Sequence, residues 1–158
     1  YKKPPLSEET KEKVRQWNLG KKRPTEQCEK SRQHAKRLWQ DNEYVRKQII
    51  SRGVKPNKSE LLLSGALNDF GFKFVGDGQL IVAGRCPDFW DGSNQLIELY
   101  GDYWHRGQNP EDRRTLFKEH GYDTLIIWER ELKDMVKVKH RVMEFMELQE
   151  MRKQAVSA

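Results

Sequence analysis

Asp88, Glu98 and His105 fall within one short stretch, residues 87–105, which reads PDFWDGSNQLIELYGDYWH. Asp91-Gly92-Ser93-Asn94 is turn chemistry: glycine tolerates positive φ, and Asp and Asn side chains bond their own backbone. The flanking arms are short, apolar and extended, so the stretch predicts a hairpin. Asp88 leaves its first arm and Glu98 sits on its second. Neighbouring strands lie about 5 Å apart, so two carboxylates on paired strands can share one ion. A hard divalent cation such as Mg²⁺ or Mn²⁺ uses such a set: one or two carboxylates, a carbonyl and waters. His105 follows where a chain leaving the sheet can fold back over the acids. Its imidazole, with an unperturbed pKa of about 6.5, suits proton transfer near neutrality. An ordinary hairpin with surface acids fits the same spacing.

The elements around the hairpin must position these groups. Asn57 or Ser59 caps a helix that ends at Phe70, with Gly71 beyond it. Leu63, Leu67 and Phe70 form its inner stripe. Glu60 shares that face, so it is either a capping acid or an inward acid near the site. Residues 72–75 read as a strand, Gly76-Asp77-Gly78 as a turn, and residues 80–83 as a second strand stopped by Gly84-Arg85. After the hairpin comes an aromatic connection with Tyr103 and Trp104. A helix follows from Asn109 or Pro110 to about His120, with Leu116 and Phe117 inward. Residues 124–128 are a nearly continuous apolar run, the signature of a strand buried on both faces. A last helix runs to about Met151, with Val136, Val142, Met143, Phe145, Met146 and Leu148 as its apolar positions, and then a frayed tail. Helix, antiparallel strands, helix, buried strand and helix make an α/β fold, a three-layer sandwich around a mixed sheet.

The chain is 158 residues long, enough for one core and an appendage. Its net charge of +6 is unevenly spread. Residues 1–58 hold 17 Lys and Arg against 7 Asp and Glu, whereas the remainder holds 13 against 17. The basic excess therefore belongs to the N-terminal third, which points to a polyanion-binding arm on a separate body. Residues 1–54 are assigned to a basic helical arm and residues 55–158 to the body. Residues 1–6 should be extended. Ser7 caps a helix to about Trp17, Thr25 caps a second to about Trp39 or Gln40, and Asp41 begins a third to about Arg52. The first two starts form a weak repeat, from Ser7 to Thr25. Neither helix has a full apolar stripe, so packing on phosphate should order them. Lys21, Lys22, Arg23, Arg32, Lys36 and Arg37 are the arm's candidate phosphate ligands. Arg85, Arg106, Arg113 and Arg114 surround the inferred site. Cys28 and Cys86 show no metal or disulfide spacing, which fits a reducing compartment. No apolar run approaches the ~18 residues of a membrane span and no targeting signal is visible, so no membrane partner is expected.

Residues 55–132 resemble the very short patch repair (Vsr) endonucleases and the related EDxHD homing endonucleases, both within the PD-(D/E)xK superfamily. The matching pieces are Lys58-Ser59-Glu60, Gly71-Phe72-Lys73-Phe74, Ala83-Gly84-Arg85, Pro87-Asp88-Phe89, Tyr100-Gly101-Asp102-Tyr103-Trp104-His105, Gly121-Tyr122 and Leu125-Ile126-Ile127-Trp128-Glu129. The resemblance implies a restriction-endonuclease-like fold. It places the family's first acid on Glu60, its metal-binding Asp on Asp88, its catalytic His on His105 and its last acid on Asp112, with Glu111 as the alternative. The superfamily's acid-x-Lys strand motif falls on Glu98-Leu99-Tyr100, with the Leu99 carbonyl as a metal ligand. Tyr100 departs from both patterns, which carry Lys or His there. Asp102 stands where the repair enzymes have a zinc-binding cysteine, so no zinc is expected. The N-terminal repeats resemble nuclease-associated modular DNA-binding domains. Together these imply a Mg²⁺-dependent homing-type endonuclease acting on double-stranded DNA in the cytoplasm of a phage-infected or bacterial cell. A homodimer would supply the two active sites of a double-strand cut. A mismatch-directed nicking repair endonuclease, and a catalytically inert DNA-binding protein with a nuclease-like fold, are the alternatives.

Overall fold

The structure is a computed structural model that describes residues 5–156. The chain divides into two compact units between Lys36 and Arg37. In the first unit, helix α1 (Glu8–Asn18) starts where Ser7 Oγ accepts from the Thr10 amide, with Glu8 and Glu9 against the positive end of its dipole. Helix α2 (Thr25–Leu38) begins in this unit and crosses the division. Neither helix buries a residue. Pairs one turn apart line them instead: Lys11 with Glu8, Lys13 with Glu9, Arg15 with Glu12, Lys30 with Glu26 and Arg32 with Glu29. Each contributes only a few tenths of a kcal/mol. Of the extended segment expected over residues 1–6, residues 1–4 lie outside the described residues.

The second unit opens with helix α3 (Asn42–Arg52), capped by Asp41 and closed by Gly53 in the left-handed region. The sequence reading assigned this helix to the arm, with the boundary after residue 54; the structure packs it into the second unit. Val45 is buried, and Asn42 Oδ1 accepts from the Gly84 amide at 2.8 Å. Gly84, at φ +70°, lies so close to the Trp39 carbonyl that any Cβ would overlap it.

Helix α4 (Lys58–Leu67), capped by Asn57, ends in a 3-10 turn (Asn68–Phe70) and Gly71 at φ 79°. Strands β1 (Lys73–Phe74), β2 (Phe89–Trp90), β3 (Gln95–Tyr100) and β4 (Asp123–Trp128) form one sheet in the order β1-β2-β3-β4. The first two pairings are antiparallel, and β3–β4 is parallel across helix α5 (Pro110–Glu119). The strand expected over residues 80–83 does not form. Val82 and Arg85 pair with each other across a two-residue reversal, where Ala83 (φ 49°) and Gly84 (φ 70°) both adopt positive φ.

Side chains alternate across β3, so the sheet feeds two cores. Ile97 joins Phe89, Leu125 and Ile127 against Leu63 and Leu67 of α4 and Val138 and Val142 of helix α6 (Met135–Val156). Leu96 joins Phe117 of α5 and Val82, with Trp90 and Tyr122 at the edge. Helices thus cover both faces, giving the expected three-layer α/β sandwich. Of the apolar positions expected on α6, Val142 is buried and Phe145 and Met146 pack against the core, while Val136, Met143 and Leu148 are exposed; Val138, not among them, is buried too. Val138 and Val142 are one turn apart, and Val136 lies off that stripe. The helix also continues beyond Met151 to Val156, and residues 157–158 of the expected frayed tail lie outside the described residues. Arg141 of α6 pairs with Glu131 and donates to the Ile126 carbonyl, covering the outer strand β4. Among the described residues, no helix is long and apolar enough to cross a membrane.

Candidate active site

The hairpin fixes the first acid by its backbone. Asp88 immediately precedes β2, and its carbonyl accepts from the Val75 amide at 2.8 Å. Its carboxylate reaches across to β3, where Oδ2 accepts from the Leu99 amide at 2.7 Å. The side chain therefore completes the ladder where β2 has not yet begun. Glu98 is one residue earlier on β3, on the α5 side of the sheet, and only 4% exposed. Arg113 of α5 lies against it: Nη2 donates to Oε1 at 3.2 Å and lies 3.2 Å from Oε2. The same nitrogen donates to the Cys86 carbonyl at 3.3 Å.

Burial drives the charge state of both acids. It raises Asp88 to a pKa of about 6; the Leu99 amide opposes this, the Glu60 charge reinforces it, and Arg113 opposes it. Burial raises Glu98 further, to about 8, with the Asp88 charge adding and Arg113 opposing. The pair thus resists carrying two negative charges unless another cation arrives. It opens on a cleft of about 580 Å³ lined also by Lys58, Ser59, Glu60, Leu99, Gly101, Trp104, His105 and Glu129.

Glu60 performs both roles that the sequence left open. Its Oε2 accepts from the Asn57 amide at 2.8 Å while Asn57 Oδ1 accepts from the Glu60 amide at 3.0 Å, a capping box. It also lines the cleft, and its charge acts on Asp88.

His105 is carried by consecutive turns after β3. Its amide donates to the Gly101 carbonyl at 3.1 Å, and its own carbonyl accepts from the Gln108 amide-nitrogen hydrogen of the backbone at 3.1 Å. The imidazole lies flat on the Tyr100 ring, with centroids 3.8 Å apart and planes 11° from parallel. Tyr100 is buried and packs edge-on against Trp128. Burial raises its pKa, with the Glu98 charge adding, so the phenol stays protonated. Tyr100 thus forms the floor under the imidazole.

On its other side His105 borders a second cleft with Arg85 and Asp112. Glu111 instead pairs with Arg114 at 2.6 Å and faces a separate groove with Lys118 and Asp123. Asp112, unlike Glu111, lines the cleft that His105 borders. Among the described residues no group of three or more His, Cys, Asp or Glu side chains is arranged to hold a metal ion. Asp88 and Glu98 are two carboxylates from adjoining strand positions. With the Leu99 carbonyl and waters they match the oxygen donor set of a hard divalent ion.

No family model and no curated protein matches the chain. Among solved structures, it is similar to the catalytic domain of the homing endonuclease I-Bth0305I. The two are 27% identical, with a TM-score of 0.44, over 57% of this chain and 94% of that one.

Lys21 sits over the Trp17 ring at 3.4 Å, Arg32 pairs with Glu29, and Lys22, Arg23, Lys36 and Arg37 are exposed. Arg85 is exposed beside the second cleft, and Arg106 is exposed in the connection that carries Tyr103 and Trp104. Those two aromatics are each 78% exposed. Arg113 pairs with Glu98, and Arg114 with Glu111 one turn earlier on α5. Sequence reasoning missed Glu129 and Gln108. Glu129 Oε1 accepts from Ser59 Oγ at 2.7 Å at the cleft wall. The parallel register pairs Tyr100 with Trp128, which carries the next residue, Glu129, to Gly101. The apolar run before Glu129 was the available signal, because adjacent parallel strands deliver their C-terminal residues to one edge.

Proposed function

We propose that this chain is a Mg²⁺-dependent DNA endonuclease of the homing type, which hydrolyses phosphodiester bonds in duplex DNA at the Asp88–Glu98–His105 cleft. The observation that carries the reading is the meeting, in one cleft, of two carboxylates from neighbouring strand positions and an imidazole stacked on Tyr100. The motif order read from the sequence supports it. Asp88, Glu98 and the Leu99 carbonyl would hold Mg²⁺ or Mn²⁺. Bound there, the ion supplies polarisation of a phosphate oxygen and a more acidic water. His105 accepts the proton of the attacking water or protonates the leaving oxygen. Glu60 and Asp112, on either side of it, orient water and imidazole. Lys22, Arg23, Lys36 and Arg37 hold backbone phosphates through the basic arm, with Arg85 and Arg106 doing so near the cleft. A homodimer supplies the second site for a double-strand cut.

One observation favours a second reading. Arg113 already compensates Glu98 without any ion, as expected of an inert, DNA-binding body. Plasmid cleavage separates the two. With Mg²⁺ the wild-type chain should nick or linearise supercoiled DNA. Asp88→Asn, which keeps an acceptor for the Leu99 amide but loses the charge, should be slower by at least about a thousandfold. If wild type and Asp88→Asn leave plasmid equally intact with Mg²⁺ and Mn²⁺, the nuclease reading is wrong.

A further inference from the structure

Gln108 lies outside every role assigned so far, yet it touches His105 directly. It is exposed, so neither packing nor burial accounts for its position. Its side-chain oxygen Oε1 lies 2.9 Å from His105 Nδ1, and its side-chain nitrogen Nε2 donates to the Trp104 carbonyl at 3.4 Å. The second contact determines the first. A backbone carbonyl can only accept, so the amide end facing Trp104 must be the NH₂ group, and the oxygen must face the imidazole. An amide oxygen can only accept in turn, so Nδ1 must carry a hydrogen. Neutral imidazole has a single N–H, which leaves the free lone pair on Nε2. The Tyr100 ring beneath fixes the plane of the imidazole, and Gln108 fixes its rotation within that plane.

We propose that Gln108 is a positioning residue that sets the tautomer of His105, through the Trp104 carbonyl–Gln108–His105 relay, so that Nε2 is the nitrogen available to take a proton. The role of Nε2 in catalysis rests on the nuclease reading; the tautomer does not. Long-range ¹H–¹⁵N NMR of the full chain, labelled at histidine, reports the tautomer without DNA or metal. The signals are assigned by loss in His105→Ala, at a pH well above about 6.5 where imidazole is neutral. Wild-type His105 should be the Nδ1–H form. Gln108→Leu, which removes the acceptor at an exposed position, should shift the ratio about threefold to tenfold toward Nε2–H. Gln108→Glu keeps an acceptor oxygen and should retain Nδ1–H. An Nε2–H wild type, or an unchanged ratio in Gln108→Leu, overturns the assignment. Plasmid cleavage on the same samples keeps the two ideas apart. Cleavage by wild type, with kcat for Gln108→Leu lowered in proportion to the fall in the Nδ1–H fraction at unchanged KM, supports both. A tautomer shift with no cleavage by any protein refutes the nuclease reading alone. Cleavage with an unshifted ratio refutes the Gln108 assignment alone.

Discussion

Removing Glu98's charge should make the metal-free protein more stable at alkaline pH. Glu98 is buried beside Asp88, and its pKa rises from 4.5 to about 8. In the unfolded chain it ionises near 4.5, so between pH 4.5 and 8 the native state binds more protons than the unfolded state. Stability then falls as pH rises through that window. The shift corresponds to about 5 kcal/mol at 1.36 kcal/mol per pH unit, a ceiling because water reaching the cleft relaxes part of the penalty. Asp88, raised from 3.8 to about 6, adds a loss of the same sign at lower pH. Urea unfolding in EDTA, at intervals from pH 5 to 8.5, measures the slope. Wild type should lose several kcal/mol over this range, and Glu98→Gln should lose much less. At pH 8, Mg²⁺ should restore stability to wild type but not to Glu98→Gln. Parallel profiles for the two proteins would refute the electrostatic account of the cleft.

Three further outcomes follow from the same geometry. Arg113→Gln removes the cation from Glu98 and should push its pKa above about 8, so the loss in urea unfolding should be larger at pH 9 than at pH 5, where Glu98 is protonated in both proteins. Gly84→Ala combines a positive φ with overlap on the Trp39 carbonyl, and should cost at least about 2 kcal/mol by thermal or urea unfolding. Deleting residues 1–36 should weaken DNA binding and flatten the log K against log salt slope, measured by fluorescence anisotropy. An unchanged slope would mean that the arm contacts no phosphate.

The hairpin was legible because its signals are local: the turn residues at 91–94 and the acids on the flanking arms. The capping of α4 was equally local, and so was Glu60's double position. What could not be read depends on partners distant in the chain. Leu80 to Ala83 looks like a strand by composition, but the reversal at Ala83 and Gly84 is held by Asn42 and Trp39. For the same reason α3 looked like part of the basic arm, although Val45 and Asn42 tie it into the second unit. Tyr100 looked like a defect in a catalytic pattern. Only the turns that fold residues 101–108 back reveal that its ring supports His105. On α6, apolar composition named a helix correctly, but Val138 and Val142, rather than Val136 and Met143, face the sheet.

The bond from the Leu99 amide to Asp88 Oδ2 makes one side chain answer to two masters. Losing that acceptor strands a backbone donor in the interior of the hairpin, at a cost of about 1–3 kcal/mol, whatever the chemistry requires. On the proposed nuclease reading, drift away from activity is therefore channelled. A descendant of this chain that no longer cut DNA would remain free to change His105 but not to shorten residue 88, and asparagine is the neutral exit. On that reading, a homologue with Asn at 88 and an altered residue at 105 would be a fossil of the reaction, still folded around the hydrogen bond that the reaction once shared.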